Sequence, residues 1–391
     1  MGEVQVYQSV SAFSSNIYGQ VFDAQSPAPL QNVLVSPISM YIALLMTLFG
    51  TGSNTRGELQ DVLQLPRTLP DYEILKAGSS LVNDISRSTD VTVLVANRLF
   101  LLNSVRLNSE FQSALTTYFS ADVEMVCTFH SDVYRNKTLA NFVSSLGIQE
   151  AKNKQVGFRA NARVDTATHS KWRINPQQCS EHCLWKHPFD KRNTHLSTFY
   201  TPDGRGISVR MMYANQKFDY LEMEDIEADA IKLPFGDGST WDMLIILPYE
   251  KKGLRQLLVR LQKKGTLSSI LSRTFQPTTL QLYMPRFRIG HSQSSVNMKQ
   301  ALINLGARSL FSDMADFSGI SYYDFLSVSS IFHKAVLVVN EDGAEAAAAT
   351  SVNVFSRSAG LEMRVDRPFF VAIVHRRAGP VFLGHVVRPG T

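Results

Sequence analysis

EDGAEAAAATSVNVFSRSAG, residues 341–360, is the stretch on which the fold turns. Four consecutive alanines, Ala346 to Ala349, suit a helix. A glycine precedes them, and β-branched and turn-forming residues follow. An arginine–serine pair, Arg357–Ser358, then stands with no hydrophobic periodicity around it. Read with period two, one face carries Ala344, Ala346, Ala348, Thr350, Val352 and Val354. The other carries Glu345, Ala347, Ala349, Ser351, Asn353 and Phe355. The first face is small and largely apolar; the second is more polar. That alternation describes a strand with one buried and one wet side. Directly upstream, HKAVLVVN (333–340) is already a strand, and Glu341-Asp342-Gly343 punctuates the two. The residues alone also fit a helix or a hairpin arm.

Composition bounds the surroundings of this segment. The chain has 391 residues, 44% hydrophobic and 10% aromatic, which suits a globular protein with a sizeable core. No run of eighteen apolar residues occurs, so no membrane-spanning helix and no membrane partner is expected. MGEVQVYQSVSAF lacks the basic flank and apolar stretch of a secretory signal. Val6 stands where a myristoylation motif needs Ser or Thr. The sparse, odd set Cys127, Cys179 and Cys183 fits a reducing compartment rather than a disulfide framework. A cytoplasmic protein, or one exported without a signal peptide, is the expectation. The sequon Asn136-Lys137-Thr138 matters only on a secretory route.

The net charge of +5 is concentrated in one stretch: residues 151–192 hold nine Lys and Arg against three Asp and Glu. Such a segment can meet an anionic surface, including a glycosaminoglycan, or be a solvated face. No nucleic-acid-binding role is expected. Catalytic signatures are missing: there is no G-x-S-x-G, P-loop, G-x-G-x-x-G or H-E-x-x-H. GTGSNTRG (50–57) reads as a helix end and turn. Cys179, His182 and Cys183 lack the second pair that a structural zinc site needs. No metal, cofactor or enzymatic activity is expected.

The coarse pattern is α+β. SPISMYIALLMTLFG (36–50) is a buried helix with Ser36 as cap, Pro37 in the first turn and Gly50 as stop. NSEFQSALTTYF (108–119), the stretch Lys137 to Leu146 and QSSVNMKQALINLG (293–306) also read as helices. VTVLVANRLF (91–100), WDMLIILPY (241–249), TLQLYMPRFRI (279–289), LEMRVD (361–366), FFVAIVH (369–375) and VFLGHVV (381–387) read as strands.

EDGAEAAAAT resembles the hinge of the reactive-centre loop of the serpins, the serine protease inhibitors. The likeness extends through VLVSPISMYIALLMTLFGTGSNT (33–55), ANRLF (96–100), LWKHPFD (184–190), FYTPDG (199–204), IKLPFGDG (231–238), MLIILP (243–248), LYMPRFRI (282–289), LINLGARSLFSDMADFSGIS (302–321) and DRPFFVAIVHRRAGPVFLGHVVRP (366–389). The signal-less intracellular branch is the nearest in character. The resemblance implies a single domain, residues 1–391, of three β-sheets and about eight or nine helices, with an exposed reactive-centre loop over about 341–362.

It also implies a monomeric suicide inhibitor. A protease attacks the loop, an acyl-enzyme forms, and the cut loop enters the large sheet as a central strand. The family's usual spacing from Glu341 puts Arg357 in the specificity pocket and makes Arg357–Ser358 the scissile bond. Guanidinium pairs bidentately with a carboxylate, so trypsin-like proteases are the implied covalent partners. A bond at Phe355–Ser356 would suit chymotrypsin-like enzymes instead. Glu341, Gly343, Ala344, Glu345, Ala346, Ala347 and Ala348 match the hinge, with Ala344 where Thr or Ser is usual. Ser36, Ser39 and His333 match the buried cluster where the large sheet parts. Residues 146–183 depart from the pattern: the family's asparagine falls on Gln177, and Pro176 makes a poor central strand. That departure favours a second reading, a non-inhibitory binding or carrier serpin.

Overall fold

The computed structural model describes residues 2–25, 28–86, 93–102, 104–121, 123–126, 163–172, 185–236, 238–263, 265–290, 296–341 and 361–390. Among these residues eight α-helices and fifteen strands alternate irregularly, an α+β architecture. The helix read at Lys137 to Leu146 lies outside them, as do Cys127, Cys179, His182 and Cys183.

Helix α1 (Gly2–Asp23) leads into the short strand β1 (Val33–Val35) and then α2 (Pro37–Phe49). Every residue of α2 from Pro37 to Leu48 is buried, because the helix is apolar on all sides. GTGSNTRG does more than end that helix. After Gly52 the chain starts α3 (Ser53–Val62), and α4 (Asp71–Ser86) follows. In α5 (Ser109–Phe119), the Asn108 side chain accepts from the Glu110 N–H at 2.9 Å, a standard N-cap.

Strands β2 (Val93–Leu102), β3 (Val123–Val126), β4 (Arg163–Trp172), β10 (Phe287–Ile289), β11 (Val296–Asn297) and β12 (Ser327–Val339) build a six-stranded sheet. Its order is β10-β12-β4-β2-β3, with β11 also on β12. The other strands are β1, β5 (His195–Tyr200), β6 (Gly206–Met223), β7 (Ala228–Pro234), β8 (Trp241–Pro248), β9 (Gln276–Pro285), β13 (Leu361–Arg364), β14 (Phe369–His375) and β15 (Gly379–Val386). They form one nine-stranded network.

Two of the three expected sheets are thus joined by hydrogen bonds, and the joint is β6. The N-terminal part of this 18-residue strand pairs with β5, and Asp219–Met223 pairs with β7. The predicted helix at 293–306 is shorter than its pattern: α8 spans Lys299–Leu305, because Val296 and Asn297 pair with β12 instead. Helices α6 (Leu254–Gln262) and α7 (Thr266–Ser272) complete the set.

The core lies between the sheets. Helix α2 touches β15 of the larger sheet and β2 and β4 of the smaller one. Phe287 of β10 meets Phe369 of β14 edge to face at 5.5 Å, so the two sheets share aromatic packing. Gly290, at φ +81°, turns the chain off β10 so tightly that a Cβ would strike the Ala335 carbonyl oxygen.

One buried titratable group gives this core a pH dependence. His385 on β15 is fully buried, and its Nδ1 lies 2.7 Å from the Tyr18 hydroxyl of α1. Burial pushes its pKa from 6.5 down to about 4. The folded state therefore holds the neutral imidazole, while the unfolded chain protonates near the ordinary value. The contribution is complete above about pH 6.5 and is lost as pH falls toward 4, on the order of 3 kcal/mol. Denaturant midpoints should fall steeply between pH 6.5 and 4, and His385→Gln should flatten that slope. Equal slopes in the two proteins would refute the assignment.

Candidate functional site: the seam of the six-stranded sheet and the base of the loop

Strand β12 is the chain's own approach to the stretch 341–360, and its neighbour on one side is β4. The two run parallel, from Ser327 opposite Arg163 to Val336 opposite Lys171, with an irregularity between Val328 and Ser330. On the outer sides β2 is antiparallel to β4, and β10 and β11 are antiparallel to β12. Parallel pairing is slightly weaker per residue than antiparallel pairing. The sheet therefore has its weaker type of ladder in the middle.

The central strand β4 is made of RVDTATHSKW, just ahead of the position where the family's asparagine falls on Gln177. Pro176 and Gln177 lie outside the described residues.

Beneath the seam, His333 of β12 is buried and its Nε2 accepts from the Ser36 backbone N–H at 2.8 Å. An accepting Nε2 carries a lone pair, so the ring is neutral with its proton on Nδ1. Ser36 stands between β1 and α2 with φ −110° and ψ 92°, the N-cap position. The expected side-chain cap is not made, and the buried Ser36 Oγ has no hydrogen-bond partner. The contact between Ser36 and His333 thus runs through the Ser36 backbone N–H. Ser39 is fully buried one turn further into α2. The His333 imidazole therefore fastens the seam strand to the residue that leads into α2.

At the top of β12 the chain is clamped. The Trp185 indole N–H donates to the Asn340 carbonyl at 3.0 Å and stacks on Phe235, with ring centres 4.6 Å apart. The Phe189 N–H donates to the Glu341 carbonyl at 2.9 Å. The Glu341 carboxylate is buried: one oxygen accepts from the Thr194 hydroxyl at 2.8 Å, and the other lies 3.6 Å from Nε of Arg286. A buried carboxylate needs such partners.

Sequence reading made Glu341 a hinge residue and missed its partners. Thr194 and Arg286 come from segments far away in the chain. Only the pairing of Phe287 with Val339 brings Arg286 to this point. The described residues stop at Glu341, so Gly343, Ala344, Glu345, Ala346, Ala347, Ala348, Arg357 and Ser358 lie outside them.

The chain returns at Leu361, on the edge strand β13, which runs parallel to β9. Arg364 lies over the Tyr283 ring at 3.8 Å, and the Val365 N–H donates to the Tyr283 carbonyl at 2.8 Å. Arg367 Nε donates to the Pro248 carbonyl at 2.8 Å. One end of the stretch is thus built into the six-stranded sheet and the other into the nine-stranded one. Among the described residues no group of His, Cys, Asp and Glu is arranged to hold a metal ion.

A family model, Serpin (serine protease inhibitor), matches residues 8–148 and 181–389. The unmatched interval falls inside the divergent stretch 146–183 and contains β4. A serine protease inhibitor of Cyanea capillata is 28% identical over 388 residues, 97% of this chain and 96% of that one. Iripin-3 of Ixodes ricinus is 30% identical over 365 residues, covering 92% of this chain and 89% of its own. Neuroserpin of Homo sapiens is 27% identical, with 98% and 92% coverage. Among solved structures, human thyroxine-binding globulin complexed with its hormone superposes with a TM-score of 0.84 at 21% identity, over 100% of both chains. Mouse protein Z-dependent protease inhibitor gives 0.84 at 21%, over 99% and 98%. As a family these proteins inhibit serine proteases and are not enzymes. The chain whose parallel seam, buried imidazole and clamped glutamate are described above belongs to the serpin family.

Proposed function

We propose that this serpin traps trypsin-like serine proteases at Arg357–Ser358 by inserting its cleaved loop, about residues 341–362, between β4 and β12. Residues 1–391 act in this reading as one domain. The observation that carries it is the parallel seam. A chain leaving the top of β12 and turning back runs antiparallel to β12, and hence antiparallel to β4 as well. It exchanges one parallel ladder for two antiparallel ones.

The lengths agree. A turn over residues 340–343 sets Ala344 beside Val339, and Ser356 then reaches Ser327, because β12 has thirteen residues. Gly343 supplies the turn, and the small side chains of Ala344, Ala346 and Ala348 enter the slot. Glu345 and Ala347 face outward. Roughly a dozen new backbone hydrogen bonds, at about 0.5–1.5 kcal/mol each, release on the order of 10 kcal/mol. The uncut protein is then a kinetic trap, held by the Glu341 clamp and the His333 contact.

Cleavage is what releases it. Inserted, Arg357 lies at the lower end of β12, about 40 Å from the upper end at ~3.3 Å per residue. Leu361 is held on β13, which pairs with β9 just ahead of Arg286 at the Glu341 clamp. The four links from Arg357 to Leu361 span at most about 14 Å. The protease serine oxygen attacks the Arg357 carbonyl, forming an ester. The Arg357–Ser358 amide breaks, and Ser358 leaves as a free amine that takes the serine proton through the protease histidine. The acyl-linked protease then travels with Arg357.

Incubation with trypsin should give a denaturation-resistant band at the summed mass, and Arg357→Ala should abolish it. The cleaved protein should melt well above the uncut one. One observation favours the second reading, a binding or carrier serpin: the family model leaves out residues 149–180, which include the strand beside the slot. Clipping without a high-mass band would support it.

Removing one member of the clamp leaves the buried Glu341 carboxylate short of a partner, at roughly 1–3 kcal/mol. Arg286→Ala should therefore hasten loss of inhibitory activity on warming, by about tenfold or more, with the initial association rate unchanged. An unchanged half-life would show that the clamp does not hold the loop out.

A further inference from the structure

Between α4 and α5 lies an open cleft of about 560 Å³ that the trapping mechanism does not use. Its size falls in the range of small-molecule sites. The floor is apolar. Leu75 of α4 and Ala114 of α5 are buried there, beside the partly buried ring of Phe49, the last residue of α2. That ring is fixed by stacking on Phe111, with centres 6.2 Å apart and planes 12° apart.

The wall is polar, and one helix supplies it. Ser109, Ser113 and Thr117 recur every fourth residue, which sets their hydroxyls in a line along α5. Glu110 opens the neighbouring line and Tyr118 closes it. A hydroxyl inside a helix can donate to the carbonyl four residues back. Thr116 does so to Gln112 at 3.1 Å, as do Ser14 to Val10 at 2.7 Å and Thr47 to Ala43 at 2.8 Å. Ser113 and Thr117 do not. Among the described residues neither hydroxyl has a hydrogen-bond partner, and the Glu110 carboxylate and Tyr118 hydroxyl have none either. Polar groups thus converge on a preformed apolar floor with their bonding capacity unused.

Chemistry selects the occupant. Glu110 is the one charged group lining the cleft among the described residues, so a cation is favoured and acids, phosphates and sulfated sugars are repelled. The row of hydroxyls is wasted on a lipid chain. The fixed ring of Phe49 suits a flat aromatic. From Glu110 to Thr117 the wall runs about 10 Å along the helix axis, the reach of an arylethylamine. We propose that the cleft binds a small aromatic amine with a ring hydroxyl. Its ammonium group donates to Glu110, its ring lies on Phe49 and Leu75, and its hydroxyl exchanges hydrogen bonds with Ser113 and Thr117. The site does not rest on the trapping mechanism. A chain that traps proteases through its loop also carries a soluble cargo between two helices.

The test uses the full chain and 5-hydroxytryptamine as the probe, followed by titration calorimetry. Saturable one-to-one binding is expected. 5-Hydroxyindoleacetic acid, with the same ring and the opposite charge, should bind at least tenfold more weakly. Glu110→Gln should weaken the amine at least tenfold without weakening the acid. Ser113→Phe, which fills the cleft from an exposed position on the helix, should remove amine binding. Both variants should melt, and react with trypsin, as the wild type does, so that lost binding is not lost folding. No saturable binding of the amine, or equal binding of amine and acid, overturns the proposal. If both variants keep the wild-type affinity for the amine, it sits elsewhere on the molecule and the cleft is not its site.

Discussion

The parallel pairing of β4 with β12 is the constraint on which the rest of the molecule depends. A parallel pair flanked on both sides by antiparallel pairs is a place where chain could be added with gain. It stays closed because the strand that would enter is continuous at both ends. Its start is the top of β12 and its finish is β13 on a different sheet. On the mechanism proposed here, covalent continuity together with the Glu341 clamp and the His333 contact keeps the sheet at six strands.

Two small sets of polar contacts stand between that sheet and its wider form. At the top, Trp185, Phe189, Thr194 and Arg286 converge on Asn340 and Glu341. Lower down, His333 reaches through the sheet to the first residue ahead of α2. Neither set is large, and each can be given up without dismantling the core. The unpartnered hydroxyl of Ser36 sits at the same junction. A buried polar atom left unsatisfied is a small destabilisation of the closed form, at the junction that the proposed insertion would move.

Much of the fold was legible in the sequence, because the elements that matter most have strong local signals. The all-apolar run of α2, the β-branched run that ends β12 and the near-continuous apolar strands β8, β14 and β15 are each decided by their own residues. What escaped had non-local causes. Helix α3 was hidden because Gly50 and Gly52 read as turn residues. The start of α8 was displaced because Val296 and Asn297 find a strand to pair with. The joining of two sheets through β6 is a matter of register, which no window of residues encodes. At the site, Ser36 and His333 were visible only through family likeness, which did not reveal that the Ser36 N–H is a donor to the imidazole. Thr194 and Arg286 carried no local signal at all. A charged residue at a strand end looks the same whether it faces solvent or a buried carboxylate from a distant segment of the chain.

The separate moorings of the two ends of the stretch 341–360 have one more consequence. Glu341 is fixed to the smaller sheet and Leu361 to the larger, and Arg286, the one residue between β9 of the larger sheet and β10 of the smaller, joins the two beside the Glu341 carboxylate. Its N–H donates to the Arg210 carbonyl of β6 at 2.9 Å, so the two moorings share one frame. Whatever displaces β9 along β6 carries both anchor points with it.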